Sequence, residues 1–330
     1  MLTIFISWFT KAIVYGTAIL YGSMGEILTE KSGGMNLGTP GIMAIGGAAG
    51  FISGYLYEAN AANPNVVVCE LLCMLCSFAA GMLADLIFSF LTITLRANQN
   101  VTGLALTIFG VGIAKFFGLY VIPAGSVSIK AYYAYNIFTA KIPGLSKIPV
   151  VGELFFSYGF MTYLAIVLAV IMAIFMNRSR AGLNLRAVGE NPATADAAGI
   201  PVLRYRYWSN LIGGGLCGLG GLYYIMEVAY SNWSTAAVDT MEAIGWLAVA
   251  LVIFAIWRSE NAIWGSYLFG LCYWAFNYVP GLLGISINSQ LFQMLPYVVT
   301  IIVLIAGSLR KSRETQPPGA LGLPYFREDR

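Results

Sequence analysis

The sequence predicts an all-α fold, a polytopic transmembrane helical bundle of about nine spans (roughly eight to ten), with at least one broken helix. Three observations predict it. The 330 residues are 58% hydrophobic and 10% charged, with a mean hydropathy of +0.75, whereas soluble domains carry roughly 25% charged residues. A chain this long with so few charges cannot clothe a soluble surface and belongs in a bilayer. Its apolar runs are continuous and about 18–25 residues long, the length of a membrane-crossing helix; the strands of a membrane barrel would alternate apolar and polar residues. Between the first two runs lies Gly33-Gly-Met-Asn-Leu-Gly-Thr-Pro-Gly41, dense in helix breakers.

The runs fall at roughly 4–27, 38–57, 66–91, 101–120, 158–177, 207–229, 241–257, 262–280 and 290–308. Lys11 interrupts the first, so no cleavable signal peptide is evident. Glu26, Glu30 and Lys31 can end the first helix or pair near the interface. The break at 33–41 makes Asn36 a candidate pathway residue, because transport proteins line cavities with the freed backbone of broken helices. A tight cytoplasmic turn between two hairpin helices explains the same composition. The third run is too long for one perpendicular crossing and is tilted, broken or paired with a short extra helix. It carries Cys69, Cys73 and Cys76, whose spacing suggests metal ligation only weakly; free cysteine is a common small buried hydrophobe. Asp85, in the same run, is costly in a membrane unless it faces protein or water, and is a pathway or packing candidate.

Arg96-Ala-Asn-Gln-Asn-Val-Thr-Gly103 places amides at the next helix start. Asn98 and Asn100 suit hydroxyl-rich or heterocyclic solutes, and they are equally good helix caps. The long segment 121–157 contains Lys141-Ile-Pro-Gly-Leu-Ser-Lys-Ile-Pro-Val-Val-Gly152. Its prolines and glycines forbid a regular helix, and its apolar residues suit a surface cap as well as an ordinary loop. Gly213-Gly-Gly-Leu-Cys-Gly-Leu-Gly-Gly221 puts small residues along the sixth run, where helices can approach closely. It lacks the preceding strand and the Gly-Lys-Ser/Thr ending of an ATPase phosphate loop, so any ATP is used elsewhere. Glu227, Asn232 and Trp233, with Asp239 and Glu242, gather where this run exits. They can line an entrance or receive a partner, or form a solvated loop. Residues 1–309 read as one membrane domain and 310–330 as a tail, extended through Gln316-Pro-Pro-Gly-Ala-Leu-Gly-Leu-Pro-Tyr-Phe-Arg327.

The chain has no histidine, which removes histidine metal sites, general bases and proton relays together, and its net charge of +3 suggests no nucleic-acid partner. We expect no catalytic residue, metal or cofactor in this chain. Basic residues set the orientation. Arg178, Arg180, Arg186, Arg204 and Arg206 place 178–206 inside. An even number of crossings puts Arg310, Lys311, Arg313, Arg327 and Arg330 inside too. Arg258, Arg96 and Lys31 follow. The N-terminus and the segment 121–157, with Lys130, Lys141 and Lys147, then lie outside.

Inside, Arg186-Ala-Val-Gly-Glu-Asn-Pro-Ala-Thr-Ala-Asp-Ala-Ala-Gly-Ile200 is small, polar and helix-prone. Asn191-Pro192 is a helix start and Gly199-Ile200-Pro201 a helix stop. The spacing predicts a short isolated polar helix over 192–198, with no apolar stripe to bury in this chain. Such a helix is a handle for a soluble partner.

These residues resemble the coupling loop of ATP-binding-cassette (ABC) importer permeases, in the branch that includes ribose, branched-chain amino acid and nucleoside permeases. Leu28-Thr-Glu30, Gly34-Met-Asn-Leu-Gly38 and Gly41-Ile-Met43 are similar to the family's opening hairpin. Asn98-Gln-Asn-Val-Thr-Gly-Leu-Ala-Leu106, the outer loop Ile142-Pro-Gly-Leu-Ser146 and Ile148-Pro-Val150, and the tail Pro318-Gly-Ala-Leu-Gly-Leu-Pro-Tyr325 resemble the nucleoside group. The resemblance covers nearly the whole chain. It implies that Arg186, Gly189, Glu190, Asn191, Pro192, Ala195, Ala198 and Gly199 engage a cytoplasmic ABC ATPase subunit. It also implies that a second permease completes the pathway, commonly as a heterodimer, and that an extracellular solute-binding protein or lipoprotein delivers the solute. The setting is the plasma membrane of a prokaryote. Two segments depart from the family's pattern, Met241-Glu-Ala-Ile-Gly-Trp246 and Phe254-Ala-Ile-Trp-Arg258, and put the exact solute in doubt. A permease for a simple sugar such as ribose is the alternative within the class. A secondary transporter without an ATPase is the alternative outside it, and a structural or receptor-like membrane protein stands further off.

Overall fold

A computed structural model describes residues 2–122, 126–144, 146, 148–283, 288, 291, 294–310 and 316–326, with the backbone alone at 2, 281–283 and 306–310. Lys147 of the outer loop and Lys311, Arg313, Arg327 and Arg330 of the tail lie outside the described residues. The helices are α1 (Leu2–Glu30), α2 (Thr39–Asn60), α3 (Val66–Ser89), α4 (Gln99–Val121), α5 (Tyr132–Phe138), α6 (Val151–Phe155), α7 (Phe160–Arg178), α8 (Arg180–Glu190), α9 (Pro192–Ala197), α10 (Val202–Tyr223), α11 (Thr235–Phe254), α12 (Ser259–Leu283) and α13 (Leu295–Arg310). Two residue pairs form the β-structure, with Ile129 opposite Trp233 and Lys130 opposite Asn232 in antiparallel register.

The all-α expectation holds. Among the described residues six helices are long and apolar enough to cross a membrane, namely α1, α3, α4, α7, α10 and α11. The 22 residues of α2 and the 25 of α12 have the length, but glycine and polar side chains dilute their hydropathy. The surplus length of the third run is absorbed by a π turn at Phe90–Thr94 that continues α3. A second π turn at Tyr224–Val228 continues α10. The seventh run sits earlier than 241–257. Ser234 caps α11, its side chain accepting from the Ala237 amide, and the chain has left the helix before Trp257.

The core is organised around α10, which packs on α1, α2 and α3. At Gly218 and Gly221 the nearest neighbour is backbone, whereas Gly215 faces the Phe78 ring. A Cβ on Gly221 would lie 1.8 Å from the Met43 carbonyl oxygen; one on Gly46 would lie 2.2 Å from the Gly218 Cα. Partner glycines meet α10 from α1 and α3, where Gly25 abuts Gly213 and Gly81 abuts Gly214. The predicted small-residue packing is therefore the central contact of the bundle. Ser77 Oγ adds a 2.7 Å bond to the Gly218 carbonyl. Cys69 and Cys73 are buried earlier on the same face of α3, Cys73 beside Gly54, as core hydrophobes.

The outer segment forms a cap. Ala131, Ala134 and Phe138 are buried, and the Tyr133 amide donates to Glu58 at the end of α2. Gly144 takes φ +88 in the proline-rich stretch, and among the described residues the next α-helix begins at Val151, at the edge of the segment expected to be non-helical.

If close backbone approach holds the bundle, Gly218→Val should abolish the folded, detergent-stable protein, because the surrounding backbone cannot yield as a flexible side chain can; overpacking costs about 1–3 kcal/mol even where it is accommodated. Gly112→Ala, at a helix position with nothing within 4 Å, should leave thermal stability equal or higher by about 0.4–1 kcal/mol. Thermal unfolding monitored by size exclusion checks both.

Candidate functional site

Where α1 ends, the chain turns at Lys31–Gly33, with Gly33 at φ +93, and runs extended to Asn36 before α2 begins. This break is buried protein interior. Asn36 is its centre. Its backbone amide donates to Glu26 at 3.2 Å, its side-chain NH2 donates to Asp85 at 2.9 Å, and its side-chain oxygen Oδ1 accepts from the Gly38 amide at 2.8 Å. Thr39 Oγ1 donates to the other Glu26 oxygen. Backbone freed from the helix is thus satisfied by buried side chains, which is the condition for non-helical chain at membrane depth. Asn36 and Asp85, predicted separately from distant segments, belong to one network.

The network extends to residues the sequence reading did not single out. Gln99 Oε1 accepts from the Met35 amide at 2.6 Å, and Thr107 Oγ1 donates to the Leu37 carbonyl. Trp257 Nε1 donates to Glu30; Ile256 and Trp257 both adopt left-handed backbone, φ +55 and +53, which turns the indole inward. Asn210 donates to Ser89 Oγ at 3.0 Å, holding α10 to α3 one step away. Three carboxylates, those of Glu26, Glu30 and Asp85, are thereby buried near the break. The spacing of Glu26 and Glu30, four apart on one helix face, was the available signal. Gln99 had none, since its neighbours are equally amidic.

The remaining pathway candidates separate. Asn98 is exposed and caps α4, accepting from the Val101 amide at 3.1 Å, and Asn100 is exposed on its first turn. Asn98 is thus the cap of α4, and the buried amide of the three is Gln99. Trp233 is wholly buried and stacks on Phe51 at 5.6 Å, so it is a core aromatic. Asn232 is exposed on the short strand. Glu227 is buried in the π turn, against Gly159, where a Cβ would lie 1.8 Å from its carboxylate. Asp239 pairs with Lys115. The Asn36 network meets α10 midway, where Asp85 abuts Gly214, whereas Glu227 lies past its far end in the π turn.

The surface helix is α9. Asn191 caps it, accepting from the Thr194 amide at 3.0 Å, Pro192 opens it, and Gly199 ends it at φ +84. It is not the isolated helix that its composition predicts. Ala195 is buried with Val188 and Val202, with Ile200, Tyr205 and Tyr325 packed around them. The extended tail supplies Tyr325, whose hydroxyl donates to Asp196 at 2.7 Å. The same strap donates from Ala320 to the Gly189 carbonyl at 2.9 Å and from Gly322 to the Gly33 carbonyl at 3.1 Å. Arg206 donates to the Leu323 carbonyl at 3.1 Å, and Arg96 lies over the Phe326 ring at 4.4 Å. Gly189 sits so close to the Lys31 carbonyl that a Cβ would lie 2.2 Å away. The tail, α8, α9 and the turn at 31–33 therefore form one platform on the buried break. Arg186 and Glu190 line a polar cleft behind it, while Asn191, Thr194, Ala197, Ala198 and Gly199 are exposed on its outer side. Local composition hid the strap, because the contacts span more than 100 residues.

Residues 6–304 match the family model described as the branched-chain amino acid transport system permease component. The chain is similar to a putative glucose ABC transporter permease protein of Haloferax volcanii, 33% identical over 94% of this chain and 95% of that protein. It is similar to a nucleoside ABC transporter permease protein of Lactococcus lactis subsp. cremoris, 34% identical over 88% of this chain and 89% of that protein. A guanosine ABC transporter permease protein of Bacillus subtilis is 32% identical over 96% of each chain. No solved structure gives a significant match.

Two outcomes are expected of this geometry. Asn36→Leu should lower stability by about 1–3 kcal/mol per buried carboxylate left without its donor, read as a fall in the thermal midpoint. Tyr325→Phe should speed amide hydrogen exchange in 192–197 about fivefold, the effect of one hydrogen bond worth about 1 kcal/mol, and leave exchange in α10 unchanged.

Proposed function

This chain belongs to the branched-chain amino acid transport system permease family, and we propose that it forms part of the translocation pathway of an ABC importer for nucleosides. As an ABC permease it is a non-catalytic, multi-pass membrane subunit, and ATP is hydrolysed by a separate one. The observation that carries the reading is the capped helix α9 held on a platform that also grips the break between α1 and α2. Force applied to α9 reaches buried backbone through hydrogen bonds rather than through a flexible loop.

The topology we propose has nine crossings, adding α2, α12 and α13 to the six most apolar helices. At 22 residues α2 spans about 33 Å, and α3, α4, α10 and α11 shield it from lipid, so low hydropathy is no obstacle. The basic residues around α8 and α9 support an inside position for them and for the tail, with the N-terminus outside. Residues 1–309 act as one domain, with 178–206 as the coupling loop. Arg186, Gly189, Glu190, Asn191, Pro192, Ala195, Ala198 and Gly199 make up the ATPase-coupling surface. Ala195 and Gly189 act by seating the helix, and Glu190, Asn191, Ala198 and Gly199 by direct contact. Asn36, Asp85 and Glu227 stay as pathway candidates, and no metal or cofactor is assigned. The partners are an ABC ATPase, a second permease forming a heterodimer, and an extracellular solute-binding protein or lipoprotein.

Nucleosides are supported by the outer loop and tail motifs and by the names of two of the relatives. The Haloferax relative's name favours a second reading, a simple sugar. Binding to the partner solute-binding protein separates them: affinity for adenosine, guanosine, uridine or cytidine is expected, and affinity for ribose or glucose alone would reassign the solute. For coupling, Glu190→Arg, or deletion of 190–199, should abolish ATP-driven uptake with membrane insertion intact. Undiminished uptake by the deletion variant would rule out the importer reading and leave a secondary transporter.

A further inference from the structure

Two cavities meet between α7 and α12. One, of about 430 Å³, is polar and lies behind the platform, where Lys31, Arg186 and Arg258 converge with Glu190 and Glu260. The other, of about 460 Å³, runs along the outside of the bundle past Val170, Ile174, Ile263 and Trp264, with Arg178 at its mouth. Ala173, Asn177 and Glu260 line both, so they form one continuous groove, charged at one end and apolar at the other.

The charges favour an anion. Among the described residues four cations face the groove against two carboxylates, and both carboxylates have partners: Glu190 accepts from the Gly319 amide and Glu260 from Asn177. Lys31 is crowded as well. Burial lowers its pKa most, Arg186 and Arg258 lower it further, and Glu190 and Glu30 oppose them; a bound anion would relieve the crowding of the three cations. The apolar end favours a lipid over a soluble anion. It opens on the membrane-facing side of α7, one of the apolar spans, where Val170, Ile171 and Ile174 are exposed. Trp264, 79% exposed, stands about 8 Å along α12 from its start, at the depth where tryptophan marks the membrane–water interface.

We propose that this groove binds one anionic phospholipid, its phosphate head group in the Lys31–Arg186–Arg258 cleft and an acyl chain along Val170, Ile174 and Ile263. Basic pockets between helix ends hold such head groups. The proposal requires that α7 crosses the membrane and does not depend on the solute or on the ATPase. A bound lipid would brace α8, and with it the platform, against the start of α12.

The test is native mass spectrometry of the full-length chain, without ATP, titrated with phosphatidylglycerol or phosphatidylcholine and competed with glycerol 3-phosphate. Phosphatidylglycerol should be retained over phosphatidylcholine. Arg186→Gln with Arg258→Gln should weaken its binding about 25-fold, or about fivefold per cation removed, with phosphatidylcholine unaffected. Arg258→Lys should preserve the preference, and Ala173→Trp, which fills the junction of the two cavities, should reduce retention of both lipids. Equal retention of the two lipids by the wild type, or a preference that survives the double substitution, would overturn the proposal. Displacement of the lipid by an equal concentration of glycerol 3-phosphate would reassign the cleft to a soluble anion. The wild-type comparisons decide the matter even if the substituted chains fail to fold.

Discussion

Everything in this bundle is referred to the glycine face of α10. At Gly213, Gly214, Gly218 and Gly221 its backbone meets the backbones of α1, α2 and α3 with no room for a single carbon between them. In a membrane this contact cannot come from the hydrophobic effect, because lipid chains are as apolar as leucine; it comes from dispersion and close packing. Such packing fixes the distances and angles of three neighbouring helices at once. The ends of α1 and α3 are then brought together beside the middle of α10, and that is where the polar residues are.

The polar junction follows from that convergence. Asn36, Glu26, Asp85 and Gln99 come from the α1–α2 break, α1, α3 and the start of α4, and each satisfies another's backbone or side chain. Buried carboxylates are tolerable only when such donors are in place. The break is therefore held by these donors and sensitive to movement of any one contributor. A transporter needs an element of this kind: well ordered in one arrangement, and costly to deform unless force is supplied. The platform of α8, α9 and the tail is where such force can enter, since its hydrogen bonds end on Gly33 and its packing on Lys31.

Much of this was legible in the sequence. The helical class, the breaker-rich segment at 33–41, the capped α9 and the small-residue face of α10 each depend on local composition or spacing, which backbone physics reads directly. The pathway candidates fared differently. Asn98 and Asn100 carry the same chemistry as Gln99, and only helix phase decides that the middle amide points inward. Trp233 looked like a vestibule residue because it follows Glu227 closely, yet the strand pairing with Ile129 turns it into the core. Glu30 and Trp257, more than 200 residues apart, gave no pairwise signal.

By itself the sequence determined that this chain is a helical membrane protein, where its helices break and end, and to which family it belongs, because hydropathy, capping and glycine spacing are properties of short stretches. Tertiary structure alone decided which polar residues share an environment, that residues 316–326 form a strap, and that a charged cleft continues into an apolar groove. Those are meetings of residues distant in the chain, and they exist only once helix packing has set the phase and depth of every side chain.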